Sequence, residues 1–104
     1  MKIEEKVKKD RLIAIVCDDL GKRFRLRYFF DERGKGVTFT DVNVEKNNPV
    51  VKSVSELFPP ADFYEREIHD FYGVEFQGNK NLHLKLFLPE DWDQKPPMRR
   101  EKNA

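Results

Sequence analysis

Cysteine is nearly absent: the 104 residues contain Cys17 alone. An internal disulfide, a cysteine-ligated iron–sulfur cluster or a Cys-based zinc site cannot be built from this chain by itself. Histidine is almost as scarce, at two residues, and no HExxH pattern, phosphate-cradling glycine-rich loop or nucleophile elbow occurs. No run approaches the roughly 20 apolar residues of a membrane-spanning helix. The start, Met1-Lys2-Ile3-Glu4-Glu5-Lys6, is charged and lacks the apolar segment of a signal peptide. A soluble, intracellular protein is expected, with docking on a membrane complex still open to it. Neither sign of charge dominates: 20 basic and 19 acidic residues leave a net +1. That balance argues against a global binder of nucleic acid or anionic membrane.

What the chain does have is charge of both signs, 38% of residues, and nine phenylalanines. Its length fits one domain with a modest core. An α+β core domain is expected over 1–80 and an extended, partner-wrapping tail over 81–104. Ile3 and Val7 fit a short surface helix in the lysine- and glutamate-rich start. Leu12 to Cys17 is apolar on both parities, which predicts a strand buried on both faces and makes Cys17 an inert core residue. Phe24, Leu26, Tyr28 and Phe30 alternate with Arg23, Arg25, Arg27 and Phe29, the clearest strand pattern in the chain. Asp31 to Gly36 reads as a hairpin loop leading to a partner strand over Val37 to Val44. The apolar parity of that strand switches between Phe39 and Val42, which predicts a bulge near Thr40 or Asp41.

Ser53-Val54-Ser55-Glu56 has capping-box spacing and predicts a short helix, stopped by Pro59 and Pro60. A second helix is expected from Pro60 through Asp62 to Gly73, where glycine suits the position after a helix. Val74-Glu75-Phe76 reads as extended. The expected fold class is α+β: a small, mostly antiparallel sheet, two short helices and an extended C-terminal tail.

Residues 65 to 76, Glu-Arg-Glu-Ile-His-Asp-Phe-Tyr-Gly-Val-Glu-Phe, are the most informative stretch. At helical spacing the charges fall among aromatic faces, which is costly unless each finds a partner. The stretch is therefore a polar network inside the domain or a surface to be covered by another protein. Arg66 and Asp70 are spaced to pair as i,i+4, which leaves Glu65 and Glu67 needing other donors. Glu67 and Asp70 have the types of an acid/base pair, and Glu65 with His69 resembles half a metal site. Without further motifs, no catalytic, cofactor-binding or metal residues are expected in this chain. Arg23, Arg25 and Arg27 beside Tyr28 and Phe30 suggest an alternative, a small RNA-binding or protein-interaction module using a basic strand face. A solvated outer sheet face is the plainer reading, and no RNP aromatic signature occurs.

Leu82, Leu84, Leu86 and Leu88 alternate with His83, Lys85 and Phe87, as in a strand or a segment laid across a partner. Pro89-Glu90-Asp91-Trp92 and Pro96-Pro97-Met98-Arg99-Arg100 follow. Trp and Arg are typical anchors of interfaces.

From Ser53 to Glu101 the chain resembles the family of the NADH:quinone oxidoreductase C subunit. That family comprises a hydrophilic subunit of respiratory complex I and its relatives in membrane-bound, energy-converting nickel–iron hydrogenases. The resemblance begins with Ser53 through Phe58 and Ala61-Asp62-Phe63-Tyr64. Its signature is Glu65-Arg66-Glu67, Asp70, Tyr72-Gly73 and Phe76. Gly78, Leu82, Leu86-Phe87-Leu88, Asp91-Trp92 and Pro96 continue in register. Asn79-Lys80 stands where the family has His-Pro, and Pro96 to Glu101 carries one residue more than the family's ending. The resemblance implies a scaffolding subunit without its own redox centre, on the cytoplasmic side of the cell membrane and peripheral to it. Its partners would be a large subunit at a quinone or nickel–iron site and a small iron–sulfur subunit, with no nucleic acid. The membrane would be met only through the complex. The interface residues implied are Glu65, Arg66, Glu67, Asp70, Tyr72, Gly73, Phe76, Asp91, Trp92, Pro96, Arg99 and Arg100.

Overall fold

The computed structural model describes residues 11–84. The expected N-terminal helix and the tail residues Asp91, Trp92, Pro96, Arg99 and Arg100 lie outside that range. Within it the fold is α+β. Strands β1 (Arg11–Asp19), β2 (Arg23–Asp31) and β3 (Val37–Glu45) form an antiparallel sheet with β2 in the centre. A short strand β4 (Val50–Lys52) follows, then helix α1 (Ala61–Tyr72) and strand β5 (Glu75–Gln77), which pairs with β4 in parallel.

The alternation on β2 fixes which face is covered. Phe24, Leu26, Tyr28 and Phe30 are fully buried, and Leu12, Ile15 and Cys17 of β1 and Val44 of β3 join them. From the other side come Val54, Phe58, Ala61, Ile68, Val74, Phe76 and Leu82. Phe30 meets Phe58 at 5.5 Å between ring centroids, and Phe24 meets Tyr72 edge-on at 5.8 Å. Each large apolar side chain taken fully out of water contributes about 1.5–3 kcal/mol. The core therefore rests on β2 and whatever covers it. Leu82 is buried to 1% exposure.

Four expectations are corrected. First, β1 is buried on one face only: Ile13 and Val16 are exposed, because α1 covers a single side of the sheet. Second, β3 carries no bulge. Its register with β2 runs unbroken from Arg23↔Glu45 to Asp31↔Val37. Phe39 has a partner on the outer face, Phe29, at 6.2 Å, so the parity switch needs no kink. The register shift lies instead in β1, between Leu12 and Ala14.

Third, there is one helix among the described residues, where two were expected over Ser53 to Gly73. Ser53 to Phe58 forms turns, with Leu57 and Phe58 N–H both bonding Val54 O at 3.1 and 2.9 Å. Ser53 Oγ accepts from Ser55 N–H at 3.1 Å as in a cap, but the Ser53 hydroxyl and Val54 N–H donate to Glu65, and the turn does not continue into a helix. Pro59 then steers Phe58 away from helical geometry. Fourth, the i,i+4 partner of Arg66 is Asp62, one turn earlier, at 3.4 Å, rather than Asp70. The end of α1 matches expectation: Gly73 has φ 81°, and its N–H bonds His69 O at 2.9 Å. A side chain in that left-handed geometry is strained, which is why glycine belongs there.

Candidate functional site

The charged stretch splits in two once folded. Glu65 faces inward and is fully buried. Its Oε1 accepts from the Ser53 hydroxyl at 2.6 Å and from Asn79 Nδ2 at 2.9 Å, and its Oε2 accepts from Val54 N–H at 2.8 Å. The donors are themselves set in place. Ser55 N–H bonds the Ser53 oxygen at 3.1 Å, freeing the Ser53 proton for Glu65. Asn81 N–H bonds Asn79 Oδ1 at 2.9 Å, which turns the amide nitrogen toward the carboxylate. Burial pushes the Glu65 pKa above the ordinary carboxyl range, and the three donated hydrogen bonds oppose that rise. Glu65 thus joins the turn before α1, the helix and the turn after β5. Its sequence separation from Ser53 and Asn79 hid both partners.

The other residues of the stretch lie closer to solvent. Arg66 is half-buried, with its guanidinium on Asp62, and its Nε is buried without a hydrogen bond among the described residues. Glu67 is half-buried and lines a cleft of about 340 Å³ between β1 and α1, together with Ile15, Cys17, Ile68, Phe71 and Tyr72. Burial beside Asp18 and Asp19 pushes the Cys17 thiol up to about 12, so it stays protonated and unreactive. The Tyr72 phenol is also pushed up, chiefly by burial. Asp70 is buried at the end of α1, and Phe76 is fully buried on β5 beside Val51. Phe63 is the exposed ring of the helix, 48% accessible, with Tyr64 edge-on at 5.7 Å.

Glu65 and His69 do not act together, since the Glu65 carboxylate is spent on its three donors. His69 has other neighbours, Glu75 and His83, which no local spacing pointed to. A buried ion pair was also invisible in the sequence. Lys46 Nζ reaches both Asp19 oxygens at 2.9 and 3.0 Å, and both side chains are almost wholly buried.

The basic strand face is not a bare cationic surface. Arg25 pairs with Asp18 at 2.8 Å, Arg27 grips Asp41 through two bonds at 2.7 and 2.9 Å, and Arg23 reaches Asn43 at 3.4 Å. Arg27 also lies 4.0 Å from the centre of the Phe39 ring. Phosphates would have to compete with these carboxylates for the same guanidinium groups.

The family model described as the respiratory-chain NADH dehydrogenase 30 kDa subunit matches residues 1–104. The NADH-quinone oxidoreductase C subunit of Chloroherpeton thalassium is 31% identical over 99 residues, covering 92% of this chain and 41% of that protein. The corresponding protein of Roseiflexus castenholzii is 42% identical over 55 residues, covering 53% of this chain and 31% of that protein. The chain thus spans less than half the length of these relatives. A chain of the membrane-bound sulfane sulfur reductase, an archaeal respiratory membrane complex, shares the fold. The TM-score is 0.75 at 22% identity, over 84% of this chain and 55% of that one. The trypsin-resistant fragment of Nqo5 superposes with a TM-score of 0.59 at 29% identity, over 65% of this chain and 61% of that one. A family-model match over the whole chain shows the lineage: the chain belongs to the family of the respiratory-chain NADH dehydrogenase 30 kDa subunit.

Proposed function

We propose that the chain is a non-catalytic accessory and assembly subunit in the hydrophilic arm of a membrane-associated, respiratory-type oxidoreductase, complex I-like or an energy-converting hydrogenase. It sits peripherally on the cytoplasmic side. It clamps the large subunit near the quinone or nickel–iron site, beside the small iron–sulfur subunit, and the redox groups belong to those partners. One observation carries this reading: the cleft between β1 and α1, apolar along its walls and bearing the single carboxylate of Glu67. Such a cleft suits an aromatic or aliphatic anchor from a neighbour whose basic group meets Glu67. Exposed Phe63 adds a further ring on the same helix, and membership of the family supplies the setting.

The test is assembly. Glu67→Arg puts a cation where the partner's cation is received, at a half-buried position outside the hydrophobic core cluster. The large subunit is expected to co-purify with the wild-type chain and to fall about tenfold with the variant, the loss of one well-placed charge-assisted contact. The variant's circular dichroism and melting temperature should stay at wild-type values. A complex of normal composition formed with Glu67→Arg contradicts the proposal.

A further inference from the structure

The two histidines of this chain meet in space. His69 sits in the last turn of α1 and His83 beyond β5, yet their rings stand edge to face with centroids 5.1 Å apart. Glu75 joins them, its Oε2 lying 3.2 Å from His83 Nε2. One ligand-capable atom from each of the three residues lies within 4.8 Å of the other two.

Backbone devices cause the meeting. The left-handed Gly73 reverses the chain directly after α1, so that Val74 O comes back to His69 Nδ1 at 2.8 Å. A carbonyl only accepts, so Nδ1 carries the proton and Nε2 is left with its lone pair. Fixing an imidazole through a backbone carbonyl in this way is what orients metal-binding histidines. Glu75 is held by pairing with Val50 and by its N–H on Pro49 O at 2.7 Å. Gly78, at φ 98°, turns the chain again, and buried Leu82 fastens the segment that carries His83. Asn81 Nδ2 ties the same segment to Asp62 on α1 at 3.4 Å.

We propose that His69, Glu75 and His83 form a binding site for a divalent late first-row transition cation, with zinc the member that fits best. Two imidazoles and one carboxylate disfavour magnesium and calcium, which seek all-oxygen shells. Zinc accepts tetrahedral shells of N and O donors at about 2.0–2.2 Å, which places neighbouring donors about 3.4 Å apart. His83 Nε2 and Glu75 Oε2 already have such a spacing. The side chain of His83 is 73% exposed and free to turn, so closing the remaining gap costs little. Three protein ligands leave one position for water or a further donor. The bound cation would lock the start of the C-terminal segment to the end of α1. This inference is independent of the assembly role, since it requires no partner.

The experiment is zinc titration of the tag-free full chain by calorimetry, with cobalt as a spectroscopic substitute. The expected result is one Zn²⁺ per chain, and intense visible bands of tetrahedral cobalt. His83→Ala, at an exposed side chain, should leave the melting temperature of the metal-free chain unchanged, weaken zinc by about tenfold or more, and abolish the cobalt bands. Glu75→Gln should weaken zinc in the same direction. Wild-type affinity retained by His83→Ala overturns the site. So does a wild-type affinity no tighter than about millimolar, too weak for a three-ligand site.

Discussion

The ion pairs on the outer face of the sheet and the polar groups on its covered side use the same chemistry under opposite conditions. Outside, Arg27 grips Asp41 and Arg11 meets Asp31, with water at hand to replace either partner. Inside, Glu65 is fully buried among Ser53, Val54 and Asn79, and Lys46 is nearly as buried on Asp19. An exposed pair contributes about 0–1 kcal/mol because solvent screens it and the side chains lose freedom. A buried group left without its partner cannot turn to water, so its loss is felt in full. Position, rather than the number of contacts, decides which charges hold this fold together.

The largest effect should come from Lys46→Met, which takes the neutralising cation away from the buried Asp19 carboxylate while leaving its bond from Gly21 N–H. A loss of about 3–5 kcal/mol in urea unfolding is expected. A loss below about 1 kcal/mol would erase the distinction between inside and outside. Next comes Glu65→Ala, which removes the acceptor from three donors and opens a void. About 3 kcal/mol should be lost, and with Glu65→Gln, which turns an amide toward donors, about 1–3 kcal/mol.

The same residue sharpens the comparison through pH. The folded-state pKa of Glu65 is raised above its ordinary 4.5, so the folded chain holds the proton more tightly than the unfolded one. Its titration therefore favours folding below that ordinary value and loses the advantage as pH rises through the raised one. Asp41 runs the other way: the hydrogen bond from Arg27 lowers its pKa, so its contribution is present above the ordinary value and lost as pH falls through the lowered one. Unfolding curves of wild type and Glu65→Gln at a series of pH values should diverge as pH rises just above 4.5. Parallel curves would show that Glu65 titrates alike in both states. The smallest effect belongs to Asp41→Asn on the outer face: its urea unfolding midpoint should shift least of these variants, and less still in salt.

Legibility followed the range of each interaction. The β2 alternation was readable because side chains on a strand change face at every residue, and the Gly73 cap because the left-handed geometry admits few residue types. The capping-box spacing at Ser53 predicts a helix that does not form: the local bond from Ser55 N–H is there, but the Ser53 hydroxyl also donates to Glu65, twelve residues away, which no local signal carries. The parity switch in β3 looked like a bulge because nothing local says that Phe39 meets Phe29 and Arg27 across the sheet. Among the residues of the charged stretch, sequence spacing named the side chains but not their directions. Glu65 went inward while Glu67 went to the cleft. The His69–Glu75–His83 cluster needed two chain reversals that no periodicity encodes.

Alone, the order of residues determined the α+β class, the covered face of the central strand and the end of the helix, because sterics and burial act there between near neighbours. Only the tertiary structure decided which charges are sealed from water and which side chains converge. Those outcomes depend on contacts between segments far apart in the chain, and the change from wet to dry surroundings is what turns an ordinary carboxylate or lysine into a structural tie.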